Sequence, residues 1–303
     1  MRGLLLLLAL AACTPDFAAP SDVFDLRVLA VQAEPPEALY DPDAGTVQDV
    51  RVRALVADPR APDGQALSAE ASLCAPTDSQ RCPSPPFLAV DDGRQPHAMN
   101  DGGIELSYRV DIGPFVAAAK AADKLQGLGG VRVMLALSVD DGDPHGPVHA
   151  AKTLLYSPIG TTPNRNPSMT GVSLTKSAQD AGTLLPDGTL ELTPGVQIGL
   201  RPLLAPDAEE EYDTTDLRGN RVHLKEHAVY SFFTTPGAEL DRDNADEPLD
   251  GGAPPDGLVR IDLVRGGGAG SACGVQFCGT MWIVVRDGRG GQSWLSFPWK
   301  SAP

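Results

Sequence analysis

Short runs of alternating polar and apolar residues, each cut off by Pro, Gly or Asp, recur about every dozen residues from position 25 onward. A period of two puts successive side chains on opposite faces of a strand, so this rhythm narrows the fold more than any other feature. Residues 49–58 (DVRVRALVAD) set Val50, Val52, Ala54 and Val56 on one face and Arg51 and Arg53 on the other. Residues 258–264 alternate strictly, and 131–140 (VRVMLALSVD) are nearly continuous in apolar residues, as a central strand would be. The 32 Gly and 28 Pro among 303 residues disfavour a mostly helical chain. One helix is expected over 114–127, with Pro114 at its start and Gly127 at its stop. Its face of Phe115, Ala118, Ala119, Ala122 and Leu125 would cap a sandwich edge.

A chain of this length exceeds what one core usually serves. The strands divide at residues 159–168, which carry Pro and no period. The fold class is therefore all-β: a seven-strand sandwich over 25–158, a linker over 159–168 and a second sandwich over 169–303. The first strand, 25–34, breaks its alternation at Ala30 and stops at Pro35-Pro36. Near the C-terminus, Asp287-Gly288-Arg289-Gly290-Gly291 reads as a hairpin turn, where glycine supplies positive φ. Trp282, Trp294 and Trp299 flank that turn and are expected to anchor the second core. Two long segments, 205–221 and 241–257, read as sandwich-end loops and as working surfaces.

Tyr230-Ser231-Phe232-Phe233-Thr234 and the stretch Trp282 to Gly291 resemble the central strand and closing hairpin of bacterial immunoglobulin-like and PKD-like envelope modules. The opening Leu26 to Val31 with Glu34-Pro35-Pro36 resembles uncharacterised lipoproteins of the myxobacterial type. These resemblances imply tandem immunoglobulin-like sandwiches as a scaffold, and a scaffold does not fix a function.

Residues 1–12 read as an export signal: Arg2, then the apolar run Leu4 to Leu10, then Ala11-Ala12. The run is shorter than the roughly 20 apolar residues that span a bilayer. Leu10-Ala11-Ala12-Cys13 resembles the lipobox of bacterial lipoproteins, which implies cleavage before Cys13, diacylglycerol on its thiol and acylation of the new amine. Thr14 after the cysteine implies the outer membrane. Residues 13–24 then read as a lipidated tether. The expected location is the cell envelope, with the membrane reached through lipid alone because the chain is acidic. The 40 Asp+Glu against 24 Lys+Arg, a net charge of −16, exclude a nucleic-acid partner. The remaining partner is an envelope or extracellular protein or glycan that the sequence does not name.

Apart from Cys13, four cysteines form two local pairs, Cys74 with Cys82 and Cys273 with Cys278. In an oxidising compartment these favour disulfides. A Cys₄ zinc site fits poorly, since structural zinc favours ligands two to four residues apart.

His223-Leu224-Lys225-Glu226-His227 matches the H-x-x-E-H pattern of zinc proteases, whose histidines share one helix face. A zinc-dependent surface hydrolase is the alternative function. Here the motif runs into a strand pattern, where positions 223 and 227 would stand about 13 Å apart at roughly 3.3 Å per residue. His145 and His149 sit in a Pro/Gly turn. Asp241, Asp243 and Asp246 open like a calcium loop, but Asp246 stands where the EF-hand Gly belongs and Gly252 where its bidentate Glu belongs. No nucleophile elbow, phosphate loop or dinucleotide fingerprint occurs. The reading is a non-enzymatic binding, adhesion or structural module with no cofactor.

Overall fold

The computed structural model describes residues 19–61, 67–77, 79, 81–83, 88–90, 97–98, 104–123, 127–246, 258–264, 271–273 and 276–302. The export signal at 1–12, Cys13 with the first half of the segment read as a tether, and residues 247–257 of the acidic segment lie outside the described residues.

The first half holds β1 (Arg27–Glu34), β2 (Glu37–Asp41), β3 (Thr46–Val47), β4 (Val50–Ala57), β5 (Ser68–Cys74), β6 (Leu88–Val90), β7 (His97–Ala98), β8 (Ile104–Val110), β9 (Val131–Asp140) and β10 (Val148–Pro158). One sheet runs β1-β4-β8-β7 and the other β3-β2-β10-β9-β5-β6. Their inner faces share a core that includes Val52, Val56 and Leu106 from the first sheet and Leu73, Leu135 and Leu154 from the second. Lettered A, B and E for β1, β4 and β8, and C, F and G for β5, β9 and β10, the two layers have the strand order of an immunoglobulin-like sandwich. β2 extends the G edge in parallel, pairing Glu37–Tyr40 with Leu155–Pro158. The interruption at Ala30 is a register shift between Val28 and Ala30 where β1 pairs with β4.

The second half holds β11 (Met169–Lys176), β12 (Gln179–Leu184), β13 (Leu190–Leu192), β14 (Ile198–Leu204), β15 (Glu211–Thr215), β16 (Arg221–Lys225), β17 (Val229–Thr234), β18 (Ala238–Leu240), β19 (Asn244–Asp246), β20 (Val259–Leu263), β21 (Ser271–Cys273), β22 (Gln276–Arg286) and β23 (Gln292–Ser301). Its sheets run β12-β11-β14-β20-β18 and β13-β23-β22-β17-β19, around a core that includes Val172, Leu200, Phe232, Ile261, Ile283 and Phe297. The plan of the first half recurs, down to a short strand, β13, lying parallel on the last one. The protein is thus all-β, with two immunoglobulin-like sandwiches.

Several details differ from the sequence reading. The helix, α1 (Val116–Ala122), is shorter than 114–127 and follows a 3-10 turn at Gly113–Phe115. Ala119 is buried and Val116 packs on the core, whereas Ala118 and Ala122 face solvent. Segment 205–221 is a loop only over 205–210 and at the turn 216–220: β15 and β16 pair as a hairpin closed by Asp216 to Asn220. Their side chains are mostly exposed, and the alternation of Val222 and Leu224 in β16 is too short to mark a strand by itself. Asn244–Asp246 is likewise a strand, paired with β17.

Candidate functional site

The two sandwiches meet over a third apolar cluster. Val23, Leu29, Ala30, Leu55 and Ala57 come from the first half, and Trp282 and Val284 from the second, with Phe233 and Trp294 packed against them. Only Trp299 of the three tryptophans joins the second core; Trp282 and Trp294 face the first sandwich. The last half of β4 is correspondingly buried on both faces, with Leu55 and Ala57 turned away from their own core.

Polar contacts stitch the same boundary. Gln32 donates to the carbonyl of Gln292 at 2.7 Å, and Asn166 donates to the carbonyl of Ala33 at 2.7 Å. Residues 159–168, read as a linker, include a buried Asn164 whose amide nitrogens reach across the boundary. Its backbone N–H donates to Glu37 and its side chain to Asp287, both at 2.9 Å. The end of the segment read as a tether is also fixed. Val23 and Thr234 donate backbone N–H groups to Thr234 and Ser21 carbonyls respectively, each at 2.9 Å.

Arg289 is the hub of this boundary. Its guanidinium lies 2.8 Å from Glu37, 3.0 Å from Glu226 and 3.7 Å from Glu210, and it stacks 4.0 Å over the Tyr212 ring. The turn presenting it is shaped by Asp287, whose Oδ1 accepts the N–H groups of Arg289, Gly290 and Gly291. Burial pushes the Glu226 carboxyl above its ordinary range, and the bonds from the Glu210 N–H and Arg289 only partly oppose this.

That placement dismantles the zinc motif. His223 lies on β16, where its ring contacts Asp213 at 3.2 Å and Glu211 at 3.4 Å. Glu226, past the end of the strand, is buried and turned to Arg289. Because the segment is extended rather than helical, the structure does not bring the motif's groups together. The calcium candidates also diverge. Asp241 is held by the backbone N–H and guanidinium of Arg260, and Asp246 is part of β19. Among the described residues, no group of three or more His, Cys, Asp and Glu is arranged to hold a metal. His145 sits beside Asp143 in an exposed turn, at 3.8 Å.

Cys74 and Cys82 form a disulfide with their Cα atoms 5.6 Å apart. Cys278 on β22 is also disulfide-bonded, and the neighbouring β21 carries Cys273.

Beside the hub, the boundary opens into a cleft of about 440 Å³. One wall is Val28 to Val31 of β1 and another His149 to Thr153 of β10; Arg286, Gly290 and Gln292 close it from the second sandwich. These positions follow from topology. Among the described residues β1 pairs only with β4, and β10 pairs with β2 only from Leu155 onward, so both strands have an edge without a hydrogen-bonded strand here. Lys152, only 9% exposed, donates Nζ to the Gly290 carbonyl across the boundary. Burial pulls its ammonium down to about 8; Asp287 opposes that and Arg286 adds to it. Arg286 donates to the Ser231 hydroxyl at 2.9 Å and reaches the Leu29 carbonyl at 3.5 Å, and burial lowers its pKa too. His149 at the rim is lowered by burial and by Arg81. Lys152, Arg286 and His149 therefore line a cleft that has no carboxylate among its described lining residues, in a chain of net charge −16. The sequence does not show this site because Lys152 sits alone in VHAAKTLLYS and Arg286 ends a strand more than 130 residues later.

No family model matches the sequence, and no curated protein matches it. Among solved structures, the chain is similar to the N-terminal Ig1-2 module of the Drosophila receptor protein tyrosine phosphatase DLAR. That likeness has 9% identity and a TM-score of 0.27, and covers 92% of this chain and 100% of the module. It is also similar to the Yersinia pseudotuberculosis adhesin InvE, at 12% identity and a TM-score of 0.22, with 89% of this chain and 58% of the adhesin covered.

Proposed function

We propose that this chain is a lipid-anchored protein of the cell envelope, held in the outer membrane through Cys13, and that it works as a non-enzymatic binding module. The observation that carries the binding part is the boundary between the sandwiches. An apolar cluster and a buried arginine–carboxylate hub fix the two bodies together, and beside them a basic cleft stays open. A scaffold with a preformed cleft suits recognition, since little ordering is needed on binding.

The anchoring part rests on the lipobox-like Leu10 to Cys13 and gains a geometry from the fold. Ser21 is paired with the second sandwich at the boundary, so Cys13 is eight residues from a fixed point. A fully extended stretch of that length spans at most about 28 Å. The acyl chains would therefore hold the waist of the molecule, rather than either end, close to the bilayer. Two or more acyl chains make such an anchor stable, where a single chain binds marginally.

Growth of a producing bacterium on labelled palmitate, followed by fractionation, tests this reading. The expected result is label on the wild-type chain and retention in the outer-membrane fraction, with both lost in Cys13→Ser. Unlabelled protein that stays membrane-bound after Cys13→Ser would overturn it.

A further inference from the structure

The cleft at the boundary has features that its role as a seam does not use. Lys152 and Arg286 are both desolvated, and neither forms an ion pair among the described residues; buried charges in proteins are ordinarily paired. The carboxylate that acts on Lys152 from nearby, Asp287, has its oxygens taken by the turn N–H groups and by Asn164. The site thus lacks an acidic partner that the protein itself does not supply.

The walls indicate which kind of acid fits. Val28 to Val31 of β1 and His149 to Thr153 of β10 have no hydrogen-bonded strand on the cleft side among the described residues, although β1 runs close beside β10, and such edges offer backbone donors and acceptors to an incoming extended chain. None of the described lining residues is Phe, Tyr or Trp, so the cleft lacks the broad aromatic platform on which sugars usually stack. Its volume, about 440 Å³, lies in the range of small-ligand sites and suits a few residues of peptide.

We propose that this cleft is a docking site for an extended acidic peptide segment of a partner protein, whose main chain lies along an open strand edge and whose carboxylate is received by Lys152 and Arg286. This deepens the binding reading above by naming its site and ligand class. It is independent of the anchor, so its failure would leave Cys13-dependent membrane retention untouched.

The test uses the full chain purified in mild detergent and titrated calorimetrically at pH 7 with three probes: the capped hexapeptide Ac-VEVEVE-NH2, its glutamine counterpart Ac-VQVQVQ-NH2, and sodium acetate. The glutamate peptide is expected to bind at least about tenfold more tightly than the glutamine peptide, as charge-assisted hydrogen bonds in a desolvated site require. Acetate should bind far more weakly than either its charge or its concentration would suggest for a simple ion site. Lys152→Met and Arg286→Met should each weaken the glutamate peptide about tenfold or more. Should Arg286→Met not fold, Ala151→Trp, which fills the cleft from an exposed position on β10, is expected to block binding with the fold intact. Equal binding of the two peptides, acetate competing as well as the peptide, unchanged affinity in Lys152→Met and Ala151→Trp, or no binding of the glutamate peptide at millimolar concentration would each overturn the assignment.

Discussion

Arg289, in the turn of the last hairpin, places a guanidinium nitrogen 2.8 Å from the carboxylate of Glu37, which lies 252 positions earlier in the chain. The same side chain neutralises Glu226, whose carboxylate is fully buried. One arginine therefore serves acids from both sandwiches, and its loss strands two buried charges.

Removal of that arginine should be severe. Arg289→Ala is expected to destabilise by about 3–5 kcal/mol, because breaking a buried pair leaves uncompensated charge. The triple change Arg289→Met, Glu37→Gln, Glu226→Gln should recover most of the loss, since it removes the charges as well as the pair. Urea unfolding of the two variants measures this. Equal stability of Arg289→Ala and wild type would show that the hub contributes nothing.

The tryptophans separate by role. Trp282 lies in the boundary cluster and Trp299 in the second core, although both are almost fully buried on adjacent strands of one sheet. Trp282→Ala is expected to cost about 3–5 kcal/mol and to split unfolding into two transitions, as the sandwiches lose their coupling. Trp299→Ala should cost a similar amount but collapse the second sandwich while the first melts normally. Calorimetric traces distinguish the two outcomes.

The contrast shows what was legible in the sequence. β4 and β20 were readable because alternating apolar positions report a buried face, and β9 because a continuous apolar run marks a central strand. β15 and β16 were not, since neither face is buried and the short Val222, Leu224 alternation reports no core. The break at Ala30 was visible, but not its consequence: the shifted register helps to place Leu29 and Ala30 on the boundary. An apolar residue on a strand's second face says only that something covers it. What covers Leu55 and Ala57, like what pairs with Arg289, is set by contacts far apart in sequence. The zinc motif misled for the opposite reason, because H-x-x-E-H carries chemistry only on a helix and these residues are extended.

Lys152 should leave a signature in the pH dependence of stability. Its folded pKa of about 8 lies below the ordinary 10.5, mainly through burial, with Asp287 raising it and Arg286 lowering it. Between those values the unfolded chain holds more protons than the folded one, so stability rises with pH from about 8 to 10.5. Below pH 8 the buried charge opposes folding by up to about 3 kcal/mol. Lys152→Met is therefore expected to be more stable than wild type at pH 7, and the difference should shrink by pH 10. A difference that does not change with pH would contradict the assignment to Lys152.

The Cys74–Cys82 bridge closes a short loop, with its two ends eight positions apart. Loop-closure entropy alone gives about 2.5 kcal/mol for a ring of that size. Cys74 also packs with Met134 and Ala136, so replacement by serine adds a buried hydroxyl. Cys74→Ala with Cys82→Ser is expected to lower stability by about 2–3 kcal/mol, and any further loss in dithiothreitol should come from the bridge at Cys278 alone. Mass spectrometry of the unreduced wild type is expected to show Cys273 joined to Cys278 as the second pair.

The β11–β12 hairpin turns on two residues, Ser177 and Ala178, both with positive φ, at 51° and 62°. That geometry matches the right-handed twist of paired strands, and it is normally supplied by Asn-Gly because only those residues enter the left-handed region cheaply. For a side chain such as alanine's the left-handed conformation costs roughly 1–2 kcal/mol, from the clash of Cβ with the carbonyl oxygen. Both residues are exposed, so replacing them disturbs no packing. Ser177→Asn with Ala178→Gly is therefore expected to stabilise the second sandwich by about 1 kcal/mol, despite the entropy glycine adds to the unfolded chain. Ala178→Pro, which cannot adopt positive φ, should destabilise it by more than that amount. Thermal melts of the three proteins should rank them with Asn-Gly above wild type and wild type above the proline variant; the opposite order would mean that the turn is not in this conformation.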